Sequence, residues 1–180
     1  MEKTKTSPLS FVKKWCYDKW LYFLVFFLPV AIMFSAYAFF KIHPIGDSSV
    51  LVLDLNGQYV YYYEQFRDAF HGNGSFIYNW SRNLSGGYIG IIAYYLASPF
   101  TLIVMLLPRT MLLESLLIMI LAKVGTASVT FSYYLQKSKG MKPLQSIVFS
   151  TLYALCAYGV IQAMDPMWLD GVILLPLIIL

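Results

Sequence analysis

The sequence predicts an all-α membrane protein: a polytopic bundle of transmembrane helices with amphipathic juxtamembrane helices in the first external loop. Two observations carry this prediction. Hydrophobic residues make up 59% of the 180 residues and charged residues only 12%, which is more apolar surface than one water-soluble core of this length can bury. The apolar residues also form long runs that short polar or proline-containing stretches separate. Lipid is therefore the expected solvent for much of the chain.

The first predicted transmembrane helix covers residues 20–40. It contains no charge before Lys41, and about 21 residues at a rise of about 1.5 Å are enough to cross a hydrocarbon layer about 30 Å thick. The run is too long for a removable signal peptide and lacks a small-residue cleavage site, so we expect a retained anchor. The preceding tail, residues 1–19, is rich in lysine: Lys3, Lys5, Lys13, Lys14 and Lys19. The positive-inside rule then predicts a multi-pass protein of the cell membrane with a cytoplasmic N-terminus.

The later segments are predicted from the same alternation of apolar runs and breaks. In order they are a first extracytoplasmic loop with a juxtamembrane helix (41–88), an apolar segment (89–107), a transmembrane helix (111–135), a basic loop (136–143), a transmembrane helix (144–163), an extracytoplasmic loop (164–171) and the start of a truncated transmembrane helix (172–180). The last run is too short to cross a bilayer, so we expect the front part of a larger protein.

Residues 89–107 decide which polar groups share a compartment. If they span the membrane, the lysine-rich loop with Lys137, Lys139 and Lys142 lies outside, against the positive-inside rule. We therefore favour an interfacial or re-entrant segment, with which the Ser98-Pro99 break is compatible. A spanning helix is the alternative.

The stretch from Asp54 to His71 has helical periodicity. Apolar residues recur every three or four positions from Leu55 to Phe70, and polar residues occupy the other face: Glu64, Arg67, Asp68 and His71. This pattern predicts an amphipathic helix on the membrane surface, with its tyrosines at the level of the headgroups. Asp54 directly precedes the run and is expected to cap it. The same hydrogen bonds and helix dipole favour an ionised carboxylate, which a general base or a metal ligand requires.

Two further places carry candidate chemistry. Asp165 and Asp170 flank Trp168 in "MDPMWLD", and in the favoured topology they face the same compartment as Asp54. This second acidic cluster could join Asp54 at one cavity and hold a divalent cation, or it could be a plain turn between helices. Lys123 lies near the middle of an apolar run, where an ammonium group needs a partner carboxylate, a cavity or a bound anion.

The sequence argues against several other classes of protein. No basic patch combines with exposed aromatic residues in a loop of adequate size, so no nucleic-acid partner is expected. Cys16 and Cys156 lie on different segments and suggest neither a disulfide framework nor a metal site. Common phosphate-loop, metalloprotease and serine-hydrolase motifs do not occur in the sequence.

Four stretches taken together resemble the bacterial YfhO-type membrane protein family: "DLNGQY", "FRDAFHGNGS", "GGYIGIIAYYLASPF" and "WLDGVILLPLIIL". The resemblance runs from about Trp20 to Leu180 and implies a C-type (GT-C-like) glycosyltransferase fold. Such proteins are regarded as transferring a sugar from a polyprenyl-phosphate donor to a cell-wall acceptor such as teichoic acid on the outer face. The membrane lipid, the donor and the acceptor are then the implied partners.

The resemblance also implies roles for particular residues. Asp54 matches the aspartate of the first external loop and would remove the acceptor proton or orient the acceptor. Four cations are candidates for the donor phosphate or the acceptor, and each is alternatively a solvated or structural charge: Arg67, His71, Arg82 and Lys123. We expect the 180-residue chain alone to be inactive. The alternative function is a non-enzymatic transporter or flippase subunit for envelope lipids.

Overall fold

Helix α5 (Leu112–Lys139) lies at the centre of the structure, because α1 (Pro8–Phe39), α6 (Pro143–Ala154) and α8 (Pro166–Ile178) all pack against it. The computed structural model describes residues 8–80 and 86–180, with side chains from Trp20 onward. Helices dominate these residues, and the strands are limited to one two-residue pair. The predicted all-α membrane fold is therefore confirmed.

Helix α1 buries only one narrow stripe of its surface. The buried residues recur every fourth position: Leu21, Val25, Pro29 and Met33. Large apolar side chains elsewhere on the helix are exposed, among them Phe23, Leu24, Phe27, Leu28 and Ile32. A spacing of four residues places a stripe on one side of a helix. The exposed side is the surface expected of a helix surrounded by lipid.

A glycine allows α1 and α5 to approach closely. A Cβ atom on Gly125 would lie only 2.7 Å from the ring of Phe26, so no larger residue fits without movement. Small residues at helix crossings are typical of membrane bundles, where close van der Waals packing drives association.

Two helical stretches in the described part of the chain are long and apolar enough to cross a membrane, Trp20–Phe39 and Arg109–Lys139. A third candidate is the pair Pro143–Ala154 and Ala157–Met164, which is bent by 50°. The predicted helix 144–163 is therefore interrupted: α6 ends at Ala154, and α7 (Ala157–Ile161) continues into a 3-10 turn, Gln162–Met164. The number of crossings stays a prediction.

Helix α8 begins earlier than the sequence pattern suggested. Its first residue is Pro166, where the missing backbone N–H costs nothing because the first turn of a helix has no acceptor for it. Most of the predicted loop 164–171 thus forms the first turn and a half of α8. Similarly, α5 continues to Lys139, so residues 136–139 of the predicted basic loop, which include Lys137 and Lys139, belong to its last turn.

Residues 89–107 do not form one continuous helix. They contain α3 (Ile89–Ile91), a π-helical turn (Ile92–Leu96) and α4 (Thr101–Leu106), with a break at 97–100. We refer to residues 89–106 as the broken segment. Pro99 has no backbone N–H and lies in the break, which is the expected position for a proline. Whether the segment crosses the membrane stays a prediction.

The first loop contains the predicted helix, in two parts. A π-helical turn (Leu55–Tyr59) leads into α2 (Val60–Phe70), and a short antiparallel pair, β1 (Tyr78–Asn79) and β2 (Gly86–Gly87), follows. Tyr59 and Tyr63 are 1% and 0% exposed, respectively. These two tyrosines are therefore buried inside the protein, where Tyr59 contacts Tyr95 of the broken segment, and the predicted location of the helix at the level of the headgroups stays a prediction.

Candidate functional site

Asp54 lies at the start of the helical stretch that leads into α2. Its side chain is exposed, and its backbone is already helical, with φ −67° and ψ −29°. The carboxylate makes no capping hydrogen bond; instead Gln58 Nε2 donates to Asp54 Oδ1 at 3.4 Å. The predicted capping role is therefore wrong, because a cap residue must have a non-helical backbone that leaves its side chain free to reach the next amides.

The residue before Asp54 has an unusual backbone. Leu53 has φ +45°, a left-handed conformation in which the Cβ of a non-glycine residue is crowded. The chain therefore turns sharply just before the carboxylate. Leu53 itself is 73% exposed, so its side chain contributes little packing to offset this strain.

Asp165 lies close enough to Asp54 for the charges of the two carboxylates to interact. It is half-buried between the Gln162–Met164 turn and α8, and its carboxylate also faces the hydroxyl of Tyr59. Burial, followed by the negative charge of Asp54, raises the pKa of the Asp165 carboxyl group, and the Tyr59 hydroxyl partly opposes this effect. The structure thus brings Asp54 and Asp165 into one site, which we call the carboxylate pair.

The Tyr59 hydroxyl belongs to this site although the sequence did not single it out. It is buried, and it approaches Asp165 without reaching the geometry of a normal hydrogen bond. Burial is the main cause that raises the pKa of Tyr59, and the charge of Asp165 adds to it. The hydroxyl therefore stays protonated and available as a donor to a carboxylate or to an oxygen of a bound molecule.

Asp170 and Lys123 form a separate ion pair deeper in the structure. Lys123 Nζ lies 2.8 Å from Asp170 Oδ2, and the Lys123 side chain is fully buried. Of the two predicted alternatives for Lys123, a partner carboxylate or a bound phosphate, the structure supplies the first. Ser98 donates to the other carboxylate oxygen, with Oγ 3.0 Å from Asp170 Oδ1.

An apolar cavity of about 390 Å³ is lined by Leu53 and Met164, the residues that directly precede Asp54 and Asp165 in the chain. Its walls come from the end of α1, the chain just before Asp54 and the region just before Asp165; the lining includes Tyr37, Val50, Val52, Leu53, Ile161 and Met164. Several of these side chains are exposed, so the cavity opens to the surroundings of the protein. A carboxylate beside an apolar cavity suits an amphipathic molecule with a polar end and a hydrocarbon chain.

The cations predicted to bind phosphate lie elsewhere. Arg67 Nε donates to the carbonyl of Leu107 at 3.0 Å, and His71 Nε2 contacts the carbonyl of Met105 at 3.1 Å. Thirteen residues separate Asp54 from Arg67 in the chain, which corresponds to roughly 20 Å along a helix. These contacts therefore hold α2 against the end of α4. Arg82 lies outside the described residues.

Two ion pairs outside the site hold the outer parts of the first loop. Arg109 contacts Glu64, and Asp68 lies 4.0 Å from it, while His43 Nε2 lies 2.8 Å from Glu114 Oε1. Both pairs connect the first loop to the beginning of α5.

A metal ion bound to the described residues would have fewer than three His, Cys, Asp or Glu side chains as ligands. Among the described residues, no group of three or more His, Cys, Asp or Glu side chains is arranged to hold one. The carboxylate pair offers oxygen ligands from Asp54 and Asp165, the type that Mg²⁺ and Ca²⁺ prefer. A divalent cation at this place stays a prediction.

Asp165→Asn is expected to stabilise the protein at neutral pH. Because the folded state raises the pKa of Asp165, its contribution to stability is greatest below the ordinary value of about 3.9 and is lost as the pH rises through the raised value. Asparagine is neutral throughout, so the Tm of the variant should fall less than that of the original protein between about pH 4 and about pH 7. Thermal unfolding in detergent at a series of pH values measures this difference, and equal losses would contradict it.

The fold and the site define an all-α membrane protein in which two neighbouring carboxylates, Asp54 and Asp165, each follow a residue that lines an apolar cavity. The sequence model of the family described as bacterial membrane protein YfhO matches residues 25–180. Since this match covers most of the chain, the protein belongs to the YfhO family, in agreement with the resemblance of its motifs. Comparisons with curated proteins and with solved structures gave no match.

Proposed function

We propose that the chain is part of an integral membrane glycosyltransferase that moves a sugar from a polyprenyl-phosphate donor to a cell-envelope acceptor, such as teichoic acid, on the outer face. Membership of the YfhO family supports a membrane protein of this type. One observation carries the proposal: the exposed Asp54 and its neighbour Asp165 each directly follow a residue that lines an apolar cavity, Leu53 and Met164. In that arrangement a hydrocarbon chain occupies the cavity while its polar end meets the carboxylates.

In this proposal Asp54 acts as the general base. It accepts the proton of the acceptor hydroxyl while the acceptor oxygen bonds to the anomeric carbon of the sugar. The bond between that carbon and the phosphate oxygen breaks, and the polyprenyl phosphate leaves with the electron pair. Because phosphate is a good leaving group, no protonated acid is required opposite the base, unlike in glycoside hydrolysis.

The charge of the donor phosphate still requires neutralisation. Lys123 is enclosed and already paired with Asp170, and Arg67 and His71 contact backbone carbonyls at the other end of α2. Arg82 or a divalent cation bound to the carboxylate pair is then the group that we propose for this role.

The proposed orientation places Asp54 on the outer side of the membrane. It places the lysines at and after the end of α5 on the inner side: Lys137, Lys139 and Lys142. Asp47 and Ser138 are both exposed and lie on opposite sides in this orientation. In a protein carrying Cys16→Ser and Cys156→Ser, Asp47→Cys should react with a membrane-impermeant maleimide in intact cells, and Ser138→Cys should react only after permeabilisation. Labelling of the Ser138→Cys protein from outside would reverse the orientation and remove Asp54 from the outer face.

The function itself is tested by direct transfer. Membranes that contain the complete protein as the cell makes it are incubated with a polyprenyl-phosphate-linked radiolabelled sugar, and the label in the lipoteichoic acid fraction is counted. We expect label to appear there and to be absent from membranes of a strain that lacks the protein. Equal incorporation in the two preparations for each common hexose donor would contradict the proposal.

One observation favours the second candidate, a transporter or flippase subunit. The Lys123–Asp170 ion pair places two charged groups about 16 Å along α5 from its first residue, Leu112. A transport pathway requires polar groups this far inside a helix bundle. However, the ammonium group is enclosed by its partners, so it does not line an open path. Flipping of a fluorescent polyprenyl phosphate in proteoliposomes without sugar transfer would support the transporter instead.

A further inference from the structure

The Lys123–Asp170 pair connects three elements that meet beneath the carboxylate pair. Lys123 Nζ lies 2.8 Å from Asp170 Oδ2 and donates to the carbonyl oxygen of Pro166, also at 2.8 Å. Both acceptors belong to the first part of α8, and Pro166 directly follows Asp165 in the chain. Lys123 therefore holds the first part of α8, which directly follows Asp165, against α5.

The same carboxylate holds the broken segment. Ser98 Oγ donates to Asp170 Oδ1 at 3.0 Å, and Ser98 lies in the break between the two halves of that segment. The Phe100 ring lies 5.7 Å from Lys123 Nζ, within the range of a cation–π contact. Two residues of the break, Ser98 and Phe100, thus meet the ion pair from the side opposite α5.

The helix that follows Asp54 docks on the same group of residues. Tyr59 and Tyr63 are one turn apart, with stacked rings whose centroids lie 6.5 Å apart. Tyr59 lies near Asp165, and Tyr63 lies near Asp170. Both tyrosines belong to the same buried apolar cluster as Leu169 of α8, so this cluster connects the helix that follows Asp54 to the helix that follows Asp165.

Holding two carboxylates near each other is unfavourable, because like charges repel. An arrangement of this kind persists only when other contacts fix the backbone on both sides. An ion pair whose lysine is fully buried is a costly way to stabilise a helix bundle, since apolar residues of similar volume often serve as well. A role in geometry explains its presence better than a role in stability alone.

We propose that Lys123 and Asp170 are positioning residues: together with Ser98 they fix the first turn of α8, and with it the position of Asp165 near Asp54. The pair does not touch the substrate in this proposal and acts through the position of Asp165. The proposal concerns the geometry of the carboxylate pair and does not depend on the reaction proposed above.

The test measures how strongly position 165 senses the charge of Asp54. In a protein carrying Cys16→Ser and Cys156→Ser, Asp165→Cys introduces one thiol, and its rate of alkylation by iodoacetamide reports the thiolate fraction. Adding Asp54→Asn should lower the pKa of the thiol and raise this rate roughly threefold to tenfold near neutral pH, because a neighbouring negative charge has been removed. No change in the rate would show that position 165 lies out of reach of Asp54, and would overturn the proposal.

The decisive comparison repeats this rate ratio after replacement of the pair. Lys123→Met with Asp170→Asn removes both charges and should bring the ratio close to one. The matched control is Glu64→Gln with Arg109→Gln, which removes an exposed ion pair of the same protein and should leave the ratio unchanged. An unchanged ratio after replacement of Lys123 and Asp170 would overturn the proposal, whatever happens to the Tm.

A milder substitution covers the case in which the doubly substituted protein does not remain folded, as judged by size-exclusion chromatography. Ser98→Ala leaves both charges paired and removes only the contact to the broken segment. The rate ratio should still fall in this variant. In that case a ratio equal to that of the starting protein overturns the proposal.

Discussion

Lys123→Met is expected to lower the free energy of unfolding by about 3–5 kcal/mol, the typical cost of breaking a buried ion pair by removing one partner. The loss arises because Asp170 keeps its charge while its main counter-charge disappears, and because the Pro166 carbonyl loses a donor. Ser98 alone cannot replace an ammonium group as a partner for an ionised carboxylate. Equilibrium unfolding of the purified protein in mixed detergent micelles measures the change.

The double substitution Lys123→Met with Asp170→Asn separates charge imbalance from packing. Neutral side chains at both positions leave no unpaired charge, so most of the lost stability should return. Glu64→Gln serves as the control, because its partner Arg109 is largely exposed and such pairs contribute little. If Lys123→Met lowers the free energy of unfolding no more than this control does, the Lys123–Asp170 pair does not contribute to stability as its geometry indicates.

Asp54→Asn is expected to reduce sugar transfer by about 10²–10⁴-fold, the range that a positioned general base contributes. Asparagine preserves the size of the side chain and accepts the bond from Gln58, but it cannot accept the proton of the acceptor hydroxyl. The loss should appear in kcat more than in KM, since proton removal occurs in the transition state. Radiolabel transfer by membranes that contain equal amounts of each protein gives the two parameters.

Asp47→Asn is the matched control for this experiment. Asp47 is an exposed carboxylate of the same loop, seven positions before Asp54, and lies outside the carboxylate pair. Its removal should leave transfer unchanged. Transfer by the Asp54→Asn protein at the rate of the Asp47→Asn protein would exclude Asp54 as the base.

Composition and periodicity predict most reliably the helices that consist of one long, uninterrupted apolar run. The predicted helix 20–40 corresponds closely to the apolar part of α1, and residues 111–135 lie almost entirely within α5. The interruption between α6 and α7 carries no proline and was missed. There a Cβ atom on Gly159 would lie 2.7 Å from the carbonyl oxygen of Ala154, so a glycine makes this bend possible, and a single glycine in an apolar run is a weak signal.

The residues of the site were easier to predict than their partners. Asp54, Asp165, Asp170 and Lys123 are conspicuous because charge is rare in an apolar chain. Their pairing was not predicted, because Lys123 and Asp170 are 47 positions apart and periodicity reports only neighbours along one helix. Tyr59 and Ser98 were missed as site residues, since hydroxyl groups near a membrane interface are common and do not mark a site by themselves.

The left-handed backbone of Leu53 has a consequence for how this loop tolerates change. A leucine in that conformation costs roughly 1–2 kcal/mol compared with a residue that adopts it freely, and the side chain recovers little of this cost because it points outward. Glycine or asparagine at position 53 would relax the backbone and preserve the direction of the carboxylate that follows. A valine or isoleucine there would instead be expected to rotate that carboxylate away from its neighbour, although no charged residue had been altered.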